Sequence, residues 1–313
     1  MYSSLPRLAS KRFMRLNLFL GVLAATIITA TQPVNLAATP QDTLRTIVSD
    51  DFVRNRPKAS AKSGKSRTAR NRKSSRVYSL ASAPSIGIAP GTSSGAFVQL
   101  GLTVWKLRPR ISATGIRQAM RENGRPRLQW VAERVEADTK FHRGEFLRFS
   151  IESPLTGYLY VIDRDWFKDG TYGKTNLIFP LGDDDNRLQA GRLIDIPAED
   201  QDPFEASPEP NQAGELLTII VSSSPLRLPT SNQPLRILNT QLAEWEGMWG
   251  ARTERFEMKG GAGQVRTIEE EQAAARKGTR QLTRNDPGPQ TIYLLTPKTT
   301  GAFLFNVTLS YVK

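Results

Sequence analysis

The sequence contains no cysteine and a single histidine. A disulfide, a thiolate nucleophile and a Cys-ligated metal are therefore excluded, and so is any site built from several imidazoles. Acid is scarce where base is plentiful. Up to residue 76 the chain carries 15 basic and 3 acidic side chains, which leaves 28 and 27 in residues 77–313. The formal charge of +13 thus belongs to the first quarter of the chain, and the remainder is balanced. With 313 residues, 39% of them hydrophobic, there is enough chain for one large or two modest domains with a buried core.

Arg7, Lys11, Arg12 and Arg15 precede an apolar run from Leu16 to Ala30, the build of a secretory signal peptide over residues 1–30. That run of 15 residues is shorter than the roughly 20 that span a bilayer. Cleavage after Ala30 or Ala38 is expected in preference to an inner membrane anchor made by an uncleaved signal, although Ile28 and Leu36 are large for the position three places before a cut. Lys11 stands where a twin-arginine signal has its first Arg, so the general secretory route is expected. The missing cysteine removes a lipoprotein anchor. The expected location is outside the cytoplasm: periplasm, cell surface or medium.

Residues 31–95 are expected to form a disordered linker. The ten basic residues from Arg54 to Arg76 meet no acid and no large apolar side chain, and Leu80 to Gly95 is rich in Ala, Ser, Pro and Gly. Such composition cannot bury enough surface to offset chain entropy. The basic run is either a solvated spacer or a contact with anionic lipid headgroups or envelope polysaccharide, worth about 1 kcal/mol per cation at an anionic membrane. It lacks interleaved aromatics for stacking on bases, so nucleic acid is not an expected partner.

From residue 96 onward the pattern is that of short strands. Phe97 to Leu107 alternates and stops before Arg108-Pro109; Arg127 to Val131 follows an Asn123-Gly124 turn pair. Phe146–Glu152 and Tyr158–Asp163 are predicted as a hairpin around Pro154 to Gly157. Asn176–Pro180, Arg192–Pro197 and Leu216–Val221 add further strands. Thr291–Leu295 and Phe303–Tyr311 are predicted as a closing hairpin around Pro297 to Gly301, with Phe303, Phe305, Val307, Leu309 and Tyr311 on one face. Two short helices are expected, one over Thr240–Trp249 and one starting at the capping box Thr267-Ile268-Glu269-Glu270 and ending near Gly278. Many strands and no strand–helix alternation predict a mainly β fold, an antiparallel β-sandwich of immunoglobulin-like or related type spanning residues 96–313.

Arg143-Gly144-Glu145, Ser150-Ile151-Glu152-Ser153-Pro154, Gly157-Tyr158-Leu159-Tyr160-Val161, Leu177-Ile178-Phe179-Pro180 and Leu216 to Ser222 resemble, in order and spacing, the bacterial domain-of-unknown-function family 4384. The resemblance covers a core over 137–228. Trp245 to Met258, Gly260-Gly261-Ala262-Gly263 and Asp286 to Thr291 resemble the C-terminal extension, here 229–313, of exported members. It implies a β-rich module behind a signal peptide, or a sensing domain beside a peptidase or kinase, and it supplies no catalytic residues.

Carboxylates are the remaining candidates for chemistry. Asp163, Asp165 and Asp169 follow the Tyr158 strand, and Asp183-Asp184-Asp185-Asn186 lies in the loop after Phe179; if both loops reached one end of the sandwich, a pair of acids could hydrolyse a glycosidic bond. Asp-Gly and Asp-Asn loops are more commonly turn formers. Calcium at Asp163/Asp165/Asp169 or at Asp183/Asp184/Asp185 is a further option, weakened by the lack of alternating acids. His142 is expected in an exposed turn. Gly91-Thr92-Ser93-Ser94-Gly95 matches a nucleophile-elbow string without the flanking strand and helix, and Gly260 to Gly263 lacks the Lys of a phosphate loop. Trp245 and Trp249 are expected to pack on one helix face. Asn306-Val307-Thr308 is a sequon inside a predicted strand and carries no argument.

The expectation that follows is a non-catalytic, exported binding module of the cell envelope without a cofactor, its basic tether on an anionic surface and its partner an envelope protein or polysaccharide. Tyr158, Tyr160, Asp163, Arg164 and Trp166 are the candidate ligand-binding residues, combining aromatic area with polar groups at a strand end. The alternatives are an exported hydrolase using the loop carboxylates and a sensory module for a partner enzyme.

Overall fold

The computed structural model describes residues 40–58, 97–111, 119–122, 125–267, 270–271 and 279–312. In chain order the elements are α1 (Pro40–Arg54), β1 (Val98–Pro109), β2 (Ala119–Glu122), β3 (Arg125–Leu128), β4 (Trp130–Val135), β5 (Lys140–Phe141), β6 (Phe146–Glu152), β7 (Gly157–Phe167), β8 (Tyr172–Phe179) and β9 (Arg187–Leu188). They continue with β10 (Arg192–Ile196), β11 (Phe204–Glu205), β12 (Gln212–Ser222), β13 (Leu235–Arg236), α2 (Asn239–Trp249), β14 (Arg252–Glu257), β15 (Thr279–Gln281), β16 (Thr291–Thr296) and β17 (Ala302–Tyr311). The expected mainly β sandwich is present. One sheet runs β14-β16-β1-β6-β10-β15, with β4 beside β1 and β11 beside β6; the other runs β13-β8-β7-β12-β17-β5, with β9 beside β7. All ladders between these strands are antiparallel except β17–β5. β2 and β3 pair by themselves around the expected Asn-Gly turn positions.

Period-two alternation builds the core. Leu100, Leu102, Val104, Phe149, Ile151 and Leu295 project from the first sheet into one cluster with Leu159, Val161, Leu217, Ile219, Val221, Phe305 and Val307 from the second. The five residues of β17 expected on one face all join that cluster. The outer face of the second sheet is also apolar: Tyr160, Ile162, Leu177, Ile220 and Leu304 are covered by Leu242 and Trp245 of α2. Burial on both faces explains why β7 and β12 present continuous apolar runs.

Both predicted hairpins are corrected. β6 and β7 lie in different sheets, and so do β16 and β17. The two turns arch from one layer to the other because each strand has a longer complementary partner elsewhere: β6 pairs with β1 over seven positions, and β12 with β17 over nine. Consecutive strands thus meet face to face through their inward side chains.

The expected linker is corrected over residues 40–58. Pro40 opens α1 at a position where its missing N–H is not needed, with Asp42 in the first turn and Arg54 in the last. Val48 and Phe52, one helical turn apart, pack on Ile292, Phe256 and Met258. Gly101 admits the helix, since a Cβ there would lie 2.9 Å from the Phe52 ring and 2.6 Å from Pro289. Arg56, expected in the solvated basic run, is instead fully buried. Its Nε donates to Glu152 Oε2 at 3.0 Å and its Nη2 to Oε1 at 2.5 Å, while Nη1 and Nη2 reach the carbonyls of Asp286 and Pro287 at 2.7 and 3.0 Å. The expected signal peptide and the rest of the linker, residues 31–39 and 59–95, lie outside the described residues.

Of the two expected helices, α2 matches the first; for the second, the capping box forms, with the Glu270 N–H on Thr267 Oγ1 at 3.2 Å and the Thr267 N–H on Glu270 Oε2 at 3.0 Å, and residues 272–278 lie outside the described residues.

Arg56→Met is expected to cost about 3–5 kcal/mol in denaturant unfolding, because it leaves Glu152 buried without its partner. The double change with Glu152→Leu is expected to recover most of that loss. Equal losses in the single and double variants would show that the pair is not what holds this segment.

Candidate functional site

β7 places the five residues singled out from sequence on two different faces. Tyr158, Tyr160, Arg164 and Trp166 share the outward parity, and Leu159, Val161, Asp163 and Asp165 share the inward one. Tyr160 is sealed in the cluster under α2, where its hydroxyl accepts the Leu226 N–H at 2.8 Å, and Tyr158 packs at the edge of the same cluster. Arg164 donates to Glu246 of α2 at 2.9 Å and lies over the Tyr172 ring at 4.1 Å. Trp166 is half-buried at the far end of that face. Tyr158, Tyr160 and Arg164 hold the helix–sheet layer, and of the five only Asp163 lines the space between the sheets.

There it lines a cavity of about 260 Å³. Leu147, Phe149, Phe204, Ile178, Leu217 and Leu309 form apolar walls drawn from both layers. The polar lining is Asp163, Asn176, Glu205, Glu215 and Tyr311, and it contains no basic side chain. Glu205 and Pro234 are exposed at the mouth, whereas Leu147, Phe149 and Leu217 are buried at the floor.

The acids sit here through strand alternation and one irregularity. Glu215 continues the inward series of Leu217, Ile219 and Val221, and Asp163 continues that of Leu159 and Val161. A register shift between Gln212 and Gly214 brings the Gln212 amide to 3.3 Å from Glu215 Oε1 and 3.4 Å from Asp165 Oδ1. Bulges re-aim side chains in this way beside functional sites. The Tyr311 hydroxyl donates to Glu215 Oε1 at 2.5 Å, and Asp165 Oδ2 accepts the Lys174 N–H at 2.9 Å. Oδ1 of Asp163 is shut off from solvent and has no hydrogen-bond partner.

Burial first, then the neighbouring Glu215 carboxyl, holds the Asp163 pKa well above the usual carboxylate range. Asp165 is raised as well, chiefly by burial. Burial and Glu215 together push the Tyr311 phenol upward, so it remains a donor to the pair. The Glu215 carboxyl beside Asp163 adds to the effect of burial in favouring the protonated form of Asp163. A carboxyl held in this way can move a proton or can receive a cation once its own proton has left.

The loop acids do something else. Asp169 Oδ1 accepts the Thr171 hydroxyl at 2.7 Å and its N–H at 2.9 Å, which holds the carboxyl below its ordinary range. Asp184 Oδ2 closes a turn on the Leu181 N–H at 2.9 Å. Asp185 is paired with Arg187 and Arg192, each at 2.9 Å, and its pKa is depressed, first by Arg187. β7 and β8 form a hairpin whose turn carries Asp169, and the Asp183–Asp185 loop leaves the other end of β8. The expectation that both acid loops meet at one end of the sandwich is therefore corrected. Asp165, expected after the strand, belongs to β7, which continues past the predicted end at Asp163 to Phe167. Among the described residues no three acids or imidazoles converge as metal ligands.

His142 is exposed in a turn, its backbone N–H on Glu145 Oε2 at 3.0 Å, and Trp245 stacks on Trp249 with ring centres 5.7 Å apart, both as expected. The Gly91–Gly95 string lies outside the described residues. Glu215 was missed from sequence, although extending the alternation of its strand past the apolar run would have placed it inward; Tyr311 was placed on the inward face of its strand but not named as a site residue. No family model, curated protein or solved structure matches the chain. The resemblance to family 4384 accordingly rests on the residues quoted for it.

Asp163→Asn is expected to stabilise the protein at neutral pH by about 1 kcal/mol or more, one pKa unit being about 1.4 kcal/mol. A carboxyl raised in the folded state holds its proton more tightly there, so wild-type stability falls as pH rises from the ordinary carboxylate range through the raised value. The gap between variant and wild type should widen from about pH 4 to 7 in thermal melts. A constant gap contradicts the assignment.

Proposed function

We propose that the protein is an exported, non-catalytic binding module of the bacterial cell envelope, with the inter-sheet cavity as its ligand site. The observation that carries this reading is the partly apolar cavity with a convergent acid pair, one oxygen of which has no partner in the folded chain. A few placed polar groups in an apolar concavity are the usual build of a small-molecule site. Export is supported by the charged and apolar segments up to Ala30.

The basic run contributes a second contact, with an anionic lipid or polysaccharide surface. Arg56 leaves this set because it is buried against Glu152, and seven cations remain between Lys62 and Arg76. Deleting residues 59–76 while retaining Arg56 is expected to weaken binding to anionic vesicles and to flatten its salt dependence. Unchanged binding removes this contact from the proposal.

The acid pair also favours a second reading, general acid–base hydrolysis by Asp163 and Glu215 in place of the loop acids. Wild-type turnover on a glycan and peptide panel that is lost in Asp163→Asn would replace the binding module by a hydrolase. Absence of turnover throughout the panel, with ligand binding retained, supports the binding reading.

A further inference from the structure

We infer that the cavity between the sheets receives a small organic cation, an ammonium or guanidinium on an apolar body; this rests on reading the domain as a binding module and names the class of ligand. The lining contributes three carboxyls and no cation, so the charge missing from the site is positive. Glu205 stands exposed at the mouth, and Glu215 with Asp163 lies deeper, a graded series of acids that draws a cation inward. The Asp163 carboxyl, which lines the cavity and has one oxygen without a partner in the folded chain, supplies an acceptor for an N–H donor. The amide oxygen of Asn176 and the second Glu215 oxygen are further acceptors in the same lining.

The rest of the cavity sets the body of the ligand. Phe149, Phe204, Leu217 and Leu309 offer only apolar contact, which favours a short hydrocarbon or aromatic stem over a polyol or a fully hydrated ion. A volume of 260 Å³ matches on the order of eight or nine waters at about 30 Å³ each, the size of an arylalkylamine. Anions are disfavoured by like charge, and a neutral alcohol leaves the ionised pair uncompensated.

Binding of the cation favours the ionised form of Asp163 and releases its proton to solvent. The titratable groups facing the pair are Asp165 on β7, Glu205 on β11, Glu209 after it and Tyr311 on β17; Lys174 on β8 turns its ammonium to Glu209 at 3.6 Å. Acids dominate this set, so affinity is expected to rise with pH while the amine stays protonated.

Three probes that share a phenylethyl body test the inference on the full-length protein by calorimetry: 2-phenylethylammonium, 2-phenylethanol and 3-phenylpropionate. The ammonium is expected to bind at least about tenfold more tightly than either analogue, and to tighten between about pH 5 and 8. The preference is expected to vanish in Asp163→Asn/Glu215→Gln. The pH series on the wild-type protein decides the matter should that variant fail to fold. Equal or tighter binding of the alcohol or the carboxylate overturns the cation class and leaves the binding module standing. No binding of any probe at any pH overturns both.

Discussion

Buried guanidinium–carboxylate pairing on the outer face of the first sheet is the constraint on which the arrangement depends. That face carries Glu152 and Asp195 on adjacent strands, each almost fully buried. A lone buried carboxylate costs several kcal/mol, on the order of the whole stability of a domain, so each requires a cation with most of its hydrogen bonds satisfied. Arg56 serves Glu152, and Arg266 serves Asp195 at 2.8 and 3.1 Å while reaching Glu199 at 3.2 Å. Trp105 lies between the guanidiniums of Arg266 and Arg134, 4.8 and 5.3 Å from its ring centre, and its indole N–H donates to Ser150 at 2.7 Å. Both principal arginines come from outside the sheet, so segments distant in sequence must close over it before the charges are paired.

That dependence separates what sequence could show from what it could not. Strand positions, the inward face of β17, the α2 packing face and the turn role of the loop acids all follow from local periodicity and turn chemistry. The two cross-sheet arches did not, because Pro154-Leu155-Thr156-Gly157 and Pro297 to Gly301 suit an arch as well as a hairpin, and the choice is made by remote strand partners. Helix α1 was hidden for a similar reason. It buries Val48 and Phe52 only, and its strongest fixation, Arg56 on Glu152, spans 96 positions. A basic residue in a basic stretch gives no sign that a carboxylate far along the chain awaits it.

The site was half legible. Asp163 was identified, but grouped with Tyr160 and Arg164, from which strand alternation separates it by the full thickness of the sheet. Its companion Glu215 continues the inward face of β12 beyond the apolar run, while Tyr311 was legible as an inward residue of β17 but not as a partner of the acids. The two sheets treat their charges in opposite ways. On the outer face of the first, the buried carboxylates Glu152 and Asp195 each have an arginine; between the layers, Asp163 and Glu215 have further acids, a phenol, amides and apolar walls nearby and no basic side chain in the cavity lining. A fold that pairs buried acids in one place and leaves them crowded in another gives up stability at the crowded place.

The docking of residues 40–58 has a topological consequence. Arg56 fixes one end of the stretch 59–96 and β1 fixes the other on the same sheet, so this stretch is closed upon the domain at both ends. Helix α1 is retained by side-chain contacts and buried hydrogen bonds, none of which needs the chain to be continuous between residues 58 and 97. A single proteolytic nick in that interval would convert the protein into a two-chain complex without removing any of these contacts. What the intact stretch adds is effective concentration: it holds the helix near its seat on the sheet, and a separate peptide covering residues 40–58 would be a complementing fragment.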